Sequence, residues 1–433
     1  MIKKFSCPRG TADILPEQIP RWRNIETKAR QILNCYGYRE IRTPIFEETE
    51  LFARSMGQTS DVVQKQMLNL AGQKTSPTDP IELSGLSLRP EGTASIARAY
   101  IQNSLDKKES LSKLFYIGPM FRGERPQKGR LRQFHQIGVE AIGPNSSSAY
   151  LDAEVIALAA ALLKNFGVND FQIKINTLGS VEDKEKFAQY LRDQLASQRS
   201  RLCEDCQQRF DRNVFRILDC KKESCKEVVT GLKIGHAHLS KESYEHFRQL
   251  KEALDFLNIA YQETPTLVRG LDYYTHTVFE ITSLSLGSQN ALGAGGRYNN
   301  LVSQLGGSQV DAVGFALGLE RILLATPEND QPRGSAIHAY IIPLDQESLA
   351  RGFVILDILR NAEIPSDMSY RISSLTNQMS RANKIGVRYV IILGKNEWEK
   401  EYVTLKDMEK GSQEEISIKD KNYSELIKIF TSS

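Results

Sequence analysis

Residues 114–142 read LFYIGPMFRGERPQKGRLRQFHQIGVEAI, and this stretch decides the architecture of the chain. Leu114–Phe121 and Arg132–Ile142 are rich in aromatic and β-branched residues, and two glycines and one proline lie between them. Such runs favour strands, and such residues between them favour a loop. The stretch therefore predicts an antiparallel strand pair with a long connection.

The connection between the two runs is strongly basic. Within eleven residues it carries one acid, Glu124, and five cations: Arg122, Arg125, Lys128, Arg130 and Arg132. Cations at the tip of a strand pair are suited to the phosphates of a nucleotide or of an RNA end. A hairpin tip that is merely solvated would have the same composition, so the loop by itself leaves both interpretations open.

The strand after this loop carries polar side chains on one face. Side chains alternate between the faces of a strand, so Phe134, Gln136, Gly138 and Glu140 share a face with Arg132. The glycine leaves space between the two polar side chains, and a zwitterionic ligand held at both ends would fit there. The alternative is a half-exposed edge face with a glycine bulge.

Two further segments carry side chains of interest. The extended run Arg269–Glu280 places Tyr274, His276 and Val278 on one face, and Arg321 follows a glycine-punctuated run. Each of these side chains, taken alone, is equally well explained by core packing or by an exposed helix position.

The rest of the chain divides into several parts. A helix is predicted over Trp22–Tyr36, and a lysine-, glutamate- and glutamine-rich helical module is inserted from Ser180 to about Leu257. A β-rich block resumes at Thr266–Ile281. The polar run Thr326–Ser335 has the composition of a linker, and alternating strand and helix signals after it predict a small α/β domain.

Composition excludes several classes of protein. The 433 residues are 40% hydrophobic and 25% charged, as in folded globular chains, and the net charge of +3 is too small for binding polyanions by bulk charge. The lysines near the N-terminus precede no apolar run of the kind found in signal peptides. The apolar stretch Val155–Leu163 is about half the length of a membrane span. We therefore expect a cytoplasmic protein without membrane association.

Four of the six cysteines are closely spaced. Cys203 and Cys206 are separated by two residues, and Cys220 and Cys225 by four. This spacing resembles a zinc ribbon, although the second pair is wider than usual. Reduced cysteines that merely pack in a cytosolic protein would fit as well, so the spacing alone assigns no metal site.

Common nucleotide-binding motifs are missing. Gly118 and Gly123 have the separation of a P-loop, but Glu124 occupies the position that requires lysine. The run Gly293–Tyr298 lacks the last glycine of a dinucleotide fingerprint. Nucleotide chemistry in this chain would need another kind of phosphate site.

Taken together, the motifs resemble those of histidyl-tRNA synthetases, a family of class II aminoacyl-tRNA synthetases, along essentially the whole chain. The Arg-Gly-Leu-Asp-Tyr-Tyr run at 269–274 is close to diagnostic of the histidine branch. The segments that carry the resemblance are Arg9–Asp13, Tyr36–Pro44, Leu88–Thr93, Phe121–Glu140, Arg269–Tyr274 with Gly295–Tyr298, and Gly314–Arg321.

The resemblance implies an α+β catalytic domain built on a six-stranded antiparallel sheet. It further implies a helical insertion that reaches the tRNA acceptor arm, a C-terminal α/β anticodon-binding domain and a homodimer. The implied boundaries are 1–178 with 260–326 for the catalytic domain, 179–259 for the insertion, 327–335 for the linker and 336–433 for the anticodon-binding domain.

The resemblance also implies roles for individual residues. For histidine, Glu91, Gly92 and Thr93 would hold the α-amino end, Gln136 would lie near the carboxylate, Glu140 and Tyr274 would take the imidazole nitrogens, and Tyr273 and Tyr298 would form the walls. For ATP, Arg122 would bind the α-phosphate, Arg321 the γ-phosphate, and Arg269 the charge that develops at the scissile phosphate. For the tRNA acceptor end, the candidates are Arg125, Lys128 and Arg130.

The implied function is histidine–tRNA ligation, with ATP and Mg²⁺, L-histidine and tRNA(His) as reactants. One alternative is a histidine-sensing regulatory protein that kept the fold and lost charging, but such paralogues usually lack the C-terminal domain and diverge in the arginine segments. A second alternative is an RNA-binding module without catalysis. An RNA-binding module would not explain the set of candidate histidine-binding residues Glu91, Gln136, Glu140 and Tyr274.

Overall fold

The computed structural model of the chain describes residues 4–58, 60–72, 83–327, 337–420 and 423–431. These residues form two compact units, 4–327 and 337–431. The predicted linker 327–335 lies, after its first residue, outside the described residues. No helix in the described ranges combines the length and the apolar character that crossing a bilayer requires.

The first unit contains the following strands and helices. Its strands are β1 Arg39–Glu40, β2 Phe46–Glu48, β3 Leu68–Ala71, β4 Leu83–Leu88, β5 Ser112–Phe121, β6 Gln133–Gly143, β7 Phe171–Thr177, β8 Gln262–Glu263, β9 Thr275–Ser283, β10 Ala291–Arg297 and β11 Asp311–Gly318. Its α-helices are α1 Ile19–Cys35, α2 Thr49–Met56, α3 Thr93–Gln102, α4 Ala149–Asn165, α5 Val181–Leu195, α6 Glu204–Arg212, α7 Phe215–Leu218, α8 Glu223–Thr230, α9 Lys241–Phe256, α10 Leu301–Gln304 and α11 Leu319–Ala325.

The main sheet corrects the prediction of a six-stranded, wholly antiparallel sheet. It has eight strands in the order β1-β5-β6-β11-β10-β9-β7-β8, and it is mixed. The inner pairings are antiparallel, whereas β1 pairs parallel with β5 and β8 pairs parallel with β7. Each parallel edge strand is only two residues long. Runs this short carry no recognisable strand pattern, so the sequence did not reveal them.

The antiparallel strand pair predicted from residues 114–142 is confirmed. Strands β5 and β6 pair antiparallel from Ser112 opposite Ile142 to Phe121 opposite Gln133. Strand β6 then pairs with β11, a strand that sequence reasoning missed because glycines interrupt its apolar pattern. Helix α11, Leu319–Ala325, begins directly after β11.

The two faces of the main sheet differ in character. On one face, Ile137 and Val139 of β6 share an apolar core with the buried side chains of α1, α4 and α9. Gln136 and Glu140 of the same strand have their side chains on the other face, as the two-residue alternation predicts. One face of the sheet is therefore covered by α1, α4 and α9, whereas the other face packs in part against α2 and α3 and also carries the polar positions.

Helices α5 to α8 form most of the predicted helical module. They have a small apolar core of their own, which includes Phe187, Leu191, Cys206, Ile217 and Cys225. The buried side chains of α9, in contrast, belong to the core under the main sheet. The boundaries 179–259 for a separate insertion remain a prediction.

The second unit is the predicted small α/β fold. Its strands are β12 Ala339–Pro343, β13 Ser366–Met368, β14 Tyr389–Leu393, β15 Tyr402–Asp407 and β16 Gln413–Ser417, and its helices are α12 Gln346–Asn361, α13 Leu375–Ile385, α14 Lys395–Glu399 and α15 Ser424–Thr431. The strand order is β13-β12-β14-β15-β16. Helix α13 ends at Gly386, whose φ of 76° is the left-handed conformation that favours glycine at a helix end.

Candidate functional site

The N-terminus of α3 holds the first carboxylate of the site. Glu91 accepts hydrogen bonds from the backbone N–H groups of Thr93 (2.7 Å) and Ala94 (2.9 Å). Free N–H groups at a helix N-terminus favour a negative charge, which fixes this side chain in place. Burial raises the pKa of Glu91, and the two N–H groups oppose that rise.

A second carboxylate, Glu140, lies in the middle of β6 and is 1% exposed. Thr93 donates its hydroxyl to Glu140 Oε1 at 2.6 Å, and the Tyr298 hydroxyl donates to Oε2. Burial raises the pKa of Glu140 to about 8, although these two donors pull it down. The side chain is thus positioned by two hydroxyl groups and is ready to exchange a proton near neutral pH.

Glycines make room for this arrangement. Gly314 of β11 pairs opposite Glu140, and a Cβ atom at position 314 would collide with Glu140 Oε2. Cβ atoms at Gly92 or Gly138 would both collide with the ring of Tyr116. The prediction of open space for a ligand over Gly138 is therefore wrong. Tyr116 pairs opposite Gly138 in β5, and its ring fills that space.

Three tyrosines wall the site. The Tyr273 ring centroid lies 4.6 Å from that of Tyr274 and 5.7 Å from that of Tyr298, and each of the three is at most 8% exposed. Burial raises the pKa of Tyr274 to about 12, so its hydroxyl stays protonated at neutral pH.

His276 was predicted on the same face as Tyr274, but its ring lies 5.6 Å from that of His246 in α9. Its positive φ of 43° breaks the strand alternation there.

Two arginines reach the site from different elements. Arg122 donates from Nε to the carbonyl of Pro90 at 2.9 Å, and its guanidinium lies over the Phe134 ring, 5.3 Å from the centroid. Arg269 donates from Nη1 to Glu280 Oε1 at 2.9 Å, which turns its guanidinium toward β9. The planar, positively charged guanidinium group is suited to paired hydrogen bonds with phosphate oxygens.

The third arginine, Arg321, lies in the first turn of α11. It donates from Nε to the carbonyl of Gly129 at 2.9 Å and from Nη1 to that of Ala291 at 2.6 Å. Burial lowers the pKa of Arg321, and the positive charges of Arg130 and Arg122 lower it further. Four arginines, Arg122, Arg130, Arg269 and Arg321, therefore line one small cleft together with the three carboxylates Glu91, Glu124 and Glu320, and guanidinium groups so grouped are suited to the phosphates of a triphosphate.

The basic loop itself is partly neutralised. Glu124 forms an ion pair with Arg130, and the Arg132 guanidinium donates to the Glu124 carbonyl at 3.2 Å. Arg125 and Lys128 are exposed. The loop thus divides into an inner part that faces the site and an outer part with solvated cations.

Most of these groups line one cleft with a volume of about 290 Å³, whereas Glu140, Arg125 and Lys128 are not among its lining residues. Gln136 also lines it, and its Oε1 atom is buried without a hydrogen-bond partner among the described residues. A buried polar atom without a hydrogen-bond partner lowers the free energy of unfolding unless a ligand supplies the missing hydrogen bond. The predicted residues that line the cleft are Glu91, Thr93, Arg122, Arg130, Gln136, Arg269, Tyr273, Tyr274, Tyr298 and Arg321.

Several residues that shape the cleft escaped sequence reasoning. Tyr116, Gly314 and Glu280 were not singled out, although a glycine inside a strand is a general sign of a close approach. The loop before Tyr273 is also braced from the helical module. Lys184 Nζ donates to the carbonyls of Asp272 (3.0 Å) and Tyr274 (2.8 Å).

Comparison with known proteins gives consistent matches. Residues 10–322 match the family model described as histidyl-tRNA synthetase, and residues 338–422 match the anticodon binding domain. The histidine–tRNA ligase of Halothermothrix orenii is 42% identical over 413 residues, which cover 95% of this chain and 96% of that protein. The one from Moorella thermoacetica is 44% identical over 419 residues, covering 95% and 96%.

A solved structure is similar as well. The apo histidyl-tRNA synthetase of S. aureus is 32% identical and superimposes with a TM-score of 0.78, covering 99% of this chain and all of that one. The similarity therefore extends over both compact units.

Proposed function

This chain belongs to the histidyl-tRNA synthetase family. We propose that the cleft on the face of the main sheet that carries Gln136 and Glu140 is the site of histidine activation. The chain is an aminoacyl-tRNA ligase, which converts ATP, L-histidine and tRNA(His) to histidyl-tRNA, AMP and pyrophosphate. The observation that carries the assignment of the site is the buried Glu140 carboxylate, fixed by the hydroxyl groups of Thr93 and Tyr298, two residues that line the cleft together with the arginines.

The histidine substrate is held at its two ends. Glu91 and Thr93 receive the α-ammonium group at the N-terminus of α3, where the Gly92 backbone leaves the space that the Tyr116 ring needs. Gln136 lies beside the carboxylate and donates to it from its amide nitrogen, whereas its unpartnered Oε1 is an acceptor and takes no part in that contact. An ammonium group next to a buried carboxylate compensates the charge whose desolvation raises the pKa of Glu91.

The imidazole ring enters between the tyrosines. Glu140 accepts a hydrogen bond from one ring N–H, and the Tyr274 hydroxyl pairs with the other ring nitrogen. Tyr273 and Tyr298 pack against the ring faces. An amino acid without a matching N–H leaves Glu140 with only its two hydroxyl donors, and sites built to hydrogen-bond a substrate N–H discriminate by about 10⁴–10⁵. This explains how the chain selects histidine without an editing step.

The three arginines serve the triphosphate. Arg122 binds the α-phosphate, Arg321 the γ-phosphate, and Arg269 the charge that develops at the scissile phosphate. Each of the three is anchored by a hydrogen bond to a carbonyl or to Glu280, so the charges are already in position before ATP binds. ATP enters as its magnesium complex. The Glu124 carboxylate at the cleft, which is ion-paired with Arg130, would offer a hard oxygen ligand to that ion, and the ion would neutralise further charge on the phosphates.

The reaction needs no enzymic nucleophile. A carboxylate oxygen of histidine attacks the α-phosphorus, the bond from that phosphorus to the bridging oxygen breaks, and pyrophosphate leaves with the electron pair. The 3′-terminal adenosine hydroxyl of tRNA then attacks the acyl carbon, its proton passes to a phosphate oxygen of the adenylate, the bond from the acyl carbon to the phosphate oxygen breaks, and AMP departs. Catalysis rests on alignment of the two substrates and on fixed positive charge.

The remaining interactions are with tRNA and a second chain. We assign Arg125, Lys128 and Arg130 to the acceptor end, because they lie on the loop at the mouth of the cleft. The second unit, which matches an anticodon-binding model, binds the anticodon. We further propose that the chain is a class II enzyme, works as a homodimer and is located in the cytoplasm, as its resemblance to the family implies.

One experiment tests the proposed function in two steps. Histidine-dependent exchange of labelled pyrophosphate into ATP measures activation, and transfer of labelled histidine to tRNA(His) measures charging. We expect both, with exchange confined to histidine among the amino acids. A chain that binds histidine without exchange would instead be a sensor, and one that binds tRNA without exchange would be an RNA-binding module.

A further inference from the structure

The four closely spaced cysteines come together in the helical module, away from the cleft. Cys203 precedes α6, Cys206 lies within that helix, Cys220 follows α7 and Cys225 lies in α8. All four sulfur atoms lie within 4.8 Å of one another, and the Cys203 and Cys220 sulfurs are 3.9 Å apart. All are free thiols rather than disulfides.

These distances fit a single tetrahedral ion. Zinc binds thiolate sulfur at about 2.3 Å, so the edge of a regular ZnS₄ tetrahedron is about 3.8 Å. An iron–sulfur cluster, in which the cysteines ligate separate irons, needs thiols that are farther apart. We propose that Cys203, Cys206, Cys220 and Cys225 bind one structural zinc ion.

The surroundings of the thiols support a closed structural site. Cys206 and Cys225 are completely buried and belong to the small core of the module. The backbone N–H of Cys203 donates to the Cys225 sulfur at 3.2 Å, a bond that stabilises negative charge on that sulfur. With four protein ligands no position remains open for water, which is the arrangement of a structural rather than a catalytic zinc site.

The segment between the two cysteine pairs reaches the active-site loop. Asn213 donates to Asp272 Oδ1 at 2.8 Å, and Arg216 Nη2 donates to Asp61 Oδ2 at 2.7 Å. A Cβ at Gly270 would lie 3.0 Å from Arg216 Nη1, so this guanidinium rests against the loop that carries Arg269. The zinc ion therefore braces α6 and α7 against the loop 269–274. This second part of the inference rests on the proposed function, whereas the metal site does not.

The metal content of the full-length protein tests the site. Protein purified under reducing conditions in the presence of zinc should contain about one zinc per chain, released when the thiols are titrated with a mercurial. Cobalt in place of zinc should give the intense visible and near-ultraviolet bands of tetrahedral thiolate coordination. Less than about 0.1 equivalent of zinc, or cobalt without thiolate bands, would overturn the proposal.

Variants and metal removal locate the site and its effect. Cys206→Ser should lose the metal, whereas the control Cys7→Ser/Cys35→Ser, which alters two exposed cysteines, should keep it. Because Cys206→Ser risks misfolding, chelation of the unmodified chain provides the second readout. Zinc removal should raise KM for histidine about tenfold in pyrophosphate exchange, and added zinc should restore it.

The outcomes of these assays separate the two claims. If chelated protein keeps its KM for histidine, the bracing of the loop is refuted while the zinc site stands. If zinc-loaded protein shows no histidine-dependent exchange at all, the proposed function fails instead.

Discussion

The Thr93 hydroxyl donates to Glu140 Oε1 at 2.6 Å, and this bond joins the first residue of α3 to the middle of β6. The same threonine donates its backbone N–H to Glu91. One residue thus links the two buried carboxylates that we assign to opposite ends of the histidine substrate. The spacing of those carboxylates is set by the packing of α3 on the sheet.

Removal of the Glu140 carboxylate should abolish histidine recognition and spare ATP binding. Glu140→Ala leaves the imidazole N–H without its acceptor, and the loss of this buried hydrogen bond should lower kcat/KM for histidine by about 10³-fold. KM for ATP should change by less than about threefold, because no arginine is touched. The control is Glu50→Ala, an exposed carboxylate on α2, which should leave exchange unaltered. Nearly intact exchange in Glu140→Ala would refute the pocket assignment.

A methyl group added at Gly314 in β11 should also weaken histidine recognition, although no polar side chain is replaced. In Gly314→Ala, the new Cβ would collide with Glu140 Oε2 and displace the carboxylate. We expect KM for histidine to rise at least about tenfold in pyrophosphate exchange, since misplacement by about 1 Å costs that much or more. The matched control is Gly235→Ala, where a Cβ meets nothing within 4 Å. Equal kinetics for both variants would contradict the described geometry.

The stability of the first unit should fall with rising pH because of Glu140. Burial raises its pKa in the folded chain from the ordinary 4.5 to about 8. Between these values the folded state keeps a proton that the unfolded state has released, so the free energy of unfolding decreases as pH rises, by at most about 1.4 kcal/mol per pH unit.

The matching variant is Glu140→Gln, which cannot ionise. The difference in melting temperature, unmodified chain minus variant, should decline from about pH 5 to about pH 8 and level off above it. A difference that is constant across this range would mean that Glu140 keeps an ordinary pKa in the folded chain.

The exposed cations of the loop should matter only for the tRNA step. Replacement of both Arg125 and Lys128 by alanine should raise KM for tRNA about tenfold. It should also reduce the slope of log affinity against log salt by about one for each cation that no longer neutralises a phosphate. Pyrophosphate exchange without tRNA should be unaffected. Lys107→Ala/Lys108→Ala removes two exposed cations elsewhere and serves as the control. An equal rise of KM in both double variants would indicate a general charge effect.

The sequence predicted those parts of the fold that depend on local patterns. The alternation in β6 placed Gln136 and Glu140 on one face, and the aromatic and β-branched runs on either side of the basic loop predicted the pairing of β5 with β6. Features that depend on register were missed. Nothing local indicates that Tyr116 faces Gly138, so the space over that glycine was wrongly taken as open.

The site residues were identified mainly through resemblance to the family. Each arginine and tyrosine, taken alone, was compatible with an ordinary surface or core position. Their convergence depends on β9, β10 and β11 meeting beside β6, a pairing that joins segments more than a hundred residues apart. The edge strands β1 and β8 escaped prediction because two residues form no pattern.

The most direct test of the central claim is a crystal structure of the chain with histidinol and a non-hydrolysable ATP analogue. We expect one imidazole nitrogen within hydrogen-bond distance of Glu140 and the other near the Tyr274 hydroxyl, with the α-phosphate at Arg122 and the γ-phosphate at Arg321. An imidazole ring bound away from Glu140, or a triphosphate bound outside the arginine cluster, would contradict it.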